Sequence, residues 1–333
     1  MGESDSKSNV SSSVSAKAVD FTPSNDVWYI DGSVVLVTEK TAFRVHGTIM
    51  AAHCEIFKDM FAMPQPAISD PDTETYDGCQ VLRLQDSPAN MKHFLKAIYD
   101  FSYFQPGTKT KFPIIAAVVH LSTKYEAAGL RQRAIDLLAT AYPSTPAAWE
   151  NRSAQRLVPP FEGEHAAYIA LATENDIRVI LPTVYYSASR QPLAEVMAEL
   201  RKVSLAPNWE IFADFVVGRE QLFRAELKHI LAFLDVGFTR PQCQNTSVCT
   251  NVLGNARNHI LQKITDAEPF HQWCNANSCE VGRTLGLCNI CCTTIENSIK
   301  EGRKKVWEQL PRMFGLGDWE TLRARDGLNG NGM

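Results

Sequence analysis

The sequence contains no apolar run long enough to cross a bilayer: the longest, such as Ile114 to Val119, fall far short of the ~20 residues a spanning helix needs. It also lacks the apolar core of a secretory leader and the Arg bias of a transit peptide. Residues 1–22 are instead polar and Ser-rich (Ser4, Ser6, Ser8, Ser11, Ser12, Ser13, Ser15) and read as a disordered tail. These absences lead us to expect a soluble intracellular chain, in cytoplasm or nucleus, with no membrane contact. An excess of one charge is missing too. With 33 Lys+Arg against 37 Asp+Glu, nothing global steers the chain toward nucleic acid. Catalytic signatures are likewise absent. There is no Gly-x-Ser-x-Gly elbow and no phosphate-cradling Gly-rich loop with Lys, and Gly315-Leu316-Gly317 lacks the third glycine and preceding strand of a dinucleotide fingerprint. No His-Glu-x-x-His is present to activate a metal-bound water. His46 and His53 could share a helix face, but with no matching carboxylates they read as packing and capping. The chain is expected not to be an enzyme.

What is present is enough apolar material for real cores: 45% of 333 residues are hydrophobic, and that length suggests about two domains at ~150 residues each. Ser33-Val34-Val35-Leu36-Val37 is β-branched and apolar on both faces, a buried strand. A tight turn at Glu39-Lys40 returns the chain into the alternating strand Thr41 to Val45. From His46 to Met63 the apolar spacing turns helical (Ile49, Met50, His53, Phe57, Met60, Phe61), and Pro64 with Pro66 stops it. After an acidic loop, Val81 and Leu82 open a third strand. Met91, Phe94, Leu95, Ile98 and Tyr99 then mark one helix face. Two further helices come next, through Ile114 to Tyr125 and Leu130 to Ala141, before Pro143 and Pro146. The order strand-strand-helix-helix-strand-helices predicts an α+β domain, a small sheet flanked by helices, over 23–145. Val34, Leu36, Phe57, Phe61, Phe94, Leu95, Ile98 and Tyr99 are its expected core.

Several stretches in this region bring a resemblance. Phe43-Arg44-Val45-His46-Gly47-Thr48-Ile49-Met50-Ala51-Ala52-His53-Cys54-Glu55-Ile56-Phe57 resembles the BTB/POZ signature F-x-x-H-[RK]-x-x-L-A-x-x-S-x-x-F. Val81 to Asp86, Phe94 to Tyr99 and Leu121-Ser122-Thr123-Lys124-Tyr125 resemble its later blocks, in the right order. Trp28-Tyr29-Ile30-Asp31-Gly32, Gly78-Cys79-Gln80-Val81 and Gly315-Leu316-Gly317-Asp318-Trp319 resemble the BTB proteins expanded in mushroom-forming fungi. The resemblance implies a protein-protein interaction module: a homodimeric adaptor or scaffold whose BTB domain binds itself or a partner. Ser33 and Gly47 stand where transcription-factor members carry an Asp and a basic residue in a charged dimer pocket, with Asp31 two residues early as a partial replacement. Recruitment of a cullin as ubiquitin-ligase substrate adaptor is another implied role. The nearest element for it here is Ile68-Ser69-Asp70, with Asp in place of the family's Glu.

Residues 146–236 read as a helical extension: Ala166 to Thr173, Ile177 to Tyr186 interrupted at Pro182, and Trp209 to Leu234. From 237 to 333 the chain bears cysteines and ends in an aromatic helical unit around Trp307, Phe314 and Trp319, which is expected to pack on the helices. Seven of its nine cysteines cluster here: Cys243, Cys249, Cys274, Cys279, Cys288, Cys291 and Cys292. Disulfides are rare in a reducing compartment, so these are read as thiols or metal ligands. Cys288-Asn289-Ile290-Cys291 has the spacing of a zinc knuckle, and Cys243 with Cys249 is the natural second pair; His271 with Cys274 is another. Two readings stand: buried thiols, or one structural zinc on Cys243, Cys249, Cys288 and Cys291. If zinc is bound, a zinc-dependent nucleic-acid or chromatin reader dimerised by the BTB domain is the functional alternative. The basic cluster Lys300, Arg303, Lys304, Lys305 could serve it, although the interspersed Glu296, Glu301 and Glu308 favour a solvated helix face.

Overall fold

The computed structural model describes residues 20–63, 73–203, 209–265 and 286–328. The fold is α+β, with a small mixed five-stranded sheet near the N-terminus and a mostly helical remainder. The chain divides into two compact units between Leu95 and Lys96.

The first unit holds β1 (Thr22–Trp28), β2 (Val34–Thr38), β3 (Thr41–Val45), α1 (Gly47–His53), α2 (Glu55–Ala62), β4 (Thr75–Tyr76), β5 (Cys79–Leu84) and the start of α3 (Pro88–Tyr99). Sheet order is β1-β3-β2-β5-β4. β2 and β3 form the hairpin expected at Glu39-Lys40, where Glu39 takes φ +49°. β5 returns parallel to β2 after the helical crossover. β2 is central, and all five of its residues are buried, as its apolar run on both faces requires. Val35, Val37, Ala42, Cys79 and Val81 fill one sheet face, with Phe21, Trp28 and Tyr76 packed against them. Val34, Leu36, Phe43 and Val45 lie on the other face and are buried, as are Met50, Phe57, Met91, Phe94 and Leu95 from the helices. Of the expected core, Phe61, Ile98 and Tyr99 are only half-buried.

The helical stretch read over His46 to Met63 is two helices. The chain is extended at Cys54 (φ −134°, ψ 114°), which ends α1 and begins α2. Asp31 meets His46 at 3.2 Å, and Ser33 Oγ accepts the Gly47 amide N–H at 3.0 Å. The bond from His46 holds the Asp31 carboxyl below its ordinary range.

The second unit continues with α4 (Phe112–Lys124), α5 (Ala128–Ala141), α6 (Pro146–Gln155), α7 (Glu164–Glu174), α8 (Leu181–Ala188), α9 (Leu193–Val203), α10 (Trp209–Ala225), α11 (Thr246–Thr265), α12 (Asn289–Met313) and α13 (Trp319–Arg325). The α4–α5 pair packs with the helices after it: Phe112 and Tyr142 lie 4.8 and 4.7 Å from the Tyr168 ring of α7, and the Thr110 amide donates to Leu157. Pro182 does not interrupt a helix but sits in the first turn of α8, where its missing N–H costs nothing. α10 runs into a π-helical turn, Glu226–Ile230, and a 3₁₀ turn, Ala232–Leu234. Glu226 is buried and paired with Arg190, yet burial pushes its carboxyl above the ordinary range. α12 lies against the π-helical turn at Gly302, where a Cβ would come within 2.9 Å of Ile230 Cα.

The aromatic end closes on this unit. Trp319 stacks on Trp307 at 5.4 Å and donates its indole N–H to the Trp307 carbonyl at 2.7 Å, and Phe314 packs 5.0 Å from Tyr185. Asp326 Oδ2 accepts the amides of Arg178 and Val179, each at 2.7 Å.

Candidate metal centre

Three short stretches of the second unit bring four sulfurs together. Beyond the 3₁₀ turn the chain bends at Gln242 (φ +67°), and the Cys243 amide donates to the Arg240 carbonyl at 3.3 Å. Asn245 then caps α11: its side-chain oxygen accepts the Val248 N–H at 3.3 Å, so Cys249 falls in the first helical turn. Cys288 is the N-cap of α12 and Cys291 lies one turn in. Both ligand-bearing helices thus present their N-terminal ends, whose unpaired amides and dipole favour negative sulfur.

The Sγ atoms of Cys243, Cys249, Cys288 and Cys291 all lie within 4.8 Å of one another. Cys243 and Cys291 approach to 3.4 Å, well beyond the ~2.05 Å of a disulfide. A regular tetrahedron of ~2.3 Å zinc–sulfur bonds has edges of about 3.8 Å, so the set needs only side-chain adjustments of about 1 Å to close on an ion. Cys249 and Cys291 are fully buried, while Cys243 and Cys288 are partly exposed. Amide donation from Cys291 and Gln244 to the Cys288 sulfur brings that thiol down to about 6. The Cys288 amide in turn reaches Cys249 Sγ at 3.5 Å. Burial pushes the Cys249 and Cys291 thiols up. Such a site can hold a tetrahedral thiophilic cation; four protein ligands leave no open position for a reacting water.

The remaining thiols do not join it. Cys292, next in the chain, is buried with its sulfur toward the Leu287 carbonyl at 3.9 Å. Cys54 is buried, its thiol pushed up to about 12 by burial, and Cys79 donates to the Gly32 carbonyl at 3.2 Å. The pair His271 and Cys274, together with Cys279, lies outside the described residues, as does Ile68-Ser69-Asp70. Of the basic cluster, Arg303 pairs with Glu150 at 3.2 Å, and Lys300, Lys304 and Lys305 are exposed opposite the buried stripe Ile299, Gly302 and Val306. Sequence reasoning missed Gln244 and Asn245, which order the loop between the first two cysteines. It also missed Arg240, whose only signal is its place three residues before Cys243.

The fold and site together define a chain with an N-terminal mixed sheet and a four-cysteine centre in its helical part. No family model matches this chain, and no curated protein matches it. No helix among the described residues is long and apolar enough to cross a membrane.

Proposed function

We propose that this chain is a non-catalytic protein-interaction protein of BTB/POZ type, working as a homodimeric adaptor or scaffold, with a structural zinc in its C-terminal part. The observation that carries the interaction reading is the connectivity of the first unit: an antiparallel hairpin, two short helices, then a strand parallel to the first. The signature-like residues occupy structurally consistent positions in it, with His46 preceding α1 and Phe43, Met50 and Phe57 buried. Ile30 and Ile56 of this unit are 85% and 40% exposed, large apolar side chains available to a partner. Light scattering on the full chain at tens of micromolar, roughly above common interface dissociation constants, tests this: a dimer is expected, and a monomer overturns self-association.

The zinc reading rests on the convergence of the four thiols and on how few of the described side chains of α11 are buried. Of its described side chains, only Cys249 and Ala256 are buried. A structural zinc contributes on the order of 10–16 kcal/mol in small finger peptides and would pin the starts of α11 and α12 to each other. With no open coordination position its role is architectural.

A further inference from the structure

We propose that Arg240 is the outer-shell cation of the four-cysteine centre, a positioning residue that tunes metal affinity; the inference rests on the zinc reading above. A zinc ion held by four thiolates is a formal dianion, and in a half-buried site that charge needs donors and positive charge around it. Part of the need is met by the amides of Cys288, Cys291 and Gln244 and by the two helix N-termini. A full positive charge is supplied by Arg240, which ties two of the three ligand stretches together. The Arg240 carbonyl accepts the Cys243 amide at 3.3 Å, and its Nη2 donates to Thr250 Oγ at 2.9 Å, one residue past Cys249. Its other terminal nitrogen, Nη1, is buried and has no hydrogen-bond partner among the described residues. A buried, charged donor without an acceptor is costly, so Nη1 calls for one.

Tied to Cys243 through its carbonyl and to Thr250, next to Cys249, through Nη2, Arg240 has thiolate sulfur made electron-rich by metal binding as the acceptor chemistry assigned to Nη1. With the metal bound, the guanidinium fork then serves Thr250 with one arm and the sulfur cluster with the other, a division that a lysine ammonium cannot reproduce at the same reach.

The test is zinc affinity of the full-length chain by competition with a chromophoric chelator, together with the thiolate-to-cobalt charge-transfer bands of the Co²⁺-loaded protein. Arg240→Gln is expected to weaken zinc binding by about 10- to 100-fold, the usual effect of outer-shell loss, and to shift the charge-transfer bands. Thr250→Val, which removes only the bridge, should change affinity by less than about threefold. A merely structural arginine would leave affinity and spectrum unmoved in Arg240→Gln, and that result overturns the inference. Should Arg240→Gln fail to fold, Arg240→Lys decides in its place: about threefold or greater weakening is expected, and wild-type affinity overturns the proposal. A wild-type chain that binds neither zinc nor cobalt overturns the zinc reading itself and this inference with it, and so is distinct from a failure of Arg240 alone.

Discussion

Adding one methyl group at two different glycines should move stability in opposite directions. Gly302, in α12, faces the π-helical turn; an added Cβ would stand 2.5 Å from the His229 carbonyl carbon and 2.9 Å from Ile230 Cα. Ordinary contact begins near 3.4 Å, so backbone must give way by nearly an ångström, and the turn is anchored by the buried Arg190–Glu226 pair. Overpacking of this kind costs about 1–3 kcal/mol or more, against which Ala returns about 1 kcal/mol of helix propensity. Because the neighbour is main chain rather than a flexible side-chain tip, the upper part of that range applies, and Gly302→Ala should be destabilising by about 2 kcal/mol net. Gly254, inside α11, has nothing within 4 Å of its Cβ position and is exposed. Gly254→Ala should therefore stabilise by up to about 1 kcal/mol. Urea unfolding followed by far-UV circular dichroism, with slopes compared so that midpoint shifts report stability, reads both. A Gly302→Ala chain as stable as wild type would refute the close approach of α12 to the turn. A destabilised Gly254→Ala would refute the open surface of α11.

Particular residues set three further outcomes. Phe94→Ala, at a site with no solvent exposure, should cost about 3–5 kcal/mol in the same unfolding experiment; a loss below about 1 kcal/mol would contradict its place in the core. Burial lowers the pKa of His165, whose ring shares a 3.0 Å bond with Ser187 Oγ. The folded state therefore prefers the neutral imidazole, so its contribution is complete above the ordinary value of 6.5 and is lost as pH falls through that value toward the folded pKa. His165→Gln should flatten the stability-versus-pH curve on the acid side of 6.5, and an unchanged slope would count against the buried site. Cys291→Ala should abolish metal binding while Cys292→Ala leaves it intact, as titration with Co²⁺ would read; equal effects would contradict the geometry, in which only the first sulfur points into the cluster.

Much of the first unit was readable from its residues because its patterns are short-range and unambiguous. The doubly apolar, β-branched run Val34–Val37 read as a buried strand, and Glu39-Lys40 as the tight turn after it. β1 was not readable as a strand, since Pro23 and Ser24 argue against one and its register shifts between Pro23 and Trp28. The break at Cys54 was also hidden, because the apolar spacing of α1 and α2 continues across it. At the candidate site the knuckle spacing of Cys288 and Cys291 named one pair, and the neighbouring cysteines Cys243 and Cys249 offered the second. The twenty residues of α11 were missed although Val252, Leu253, Ala256, Ile260 and Ile264 recur at helical spacing, because the stretch was read for its thiols. The part played by Arg240 depends on where its guanidinium nitrogens sit, which no spacing in the sequence encodes.

Elemental analysis of the purified full-length chain, prepared without added chelator, addresses the four-cysteine centre most directly. About one zinc per chain is expected, retained through gel filtration and lost in a chain carrying both Cys243→Ala and Cys288→Ala. A wild-type chain carrying no stoichiometric zinc, either as purified or after incubation with the metal under reducing conditions, would contradict it.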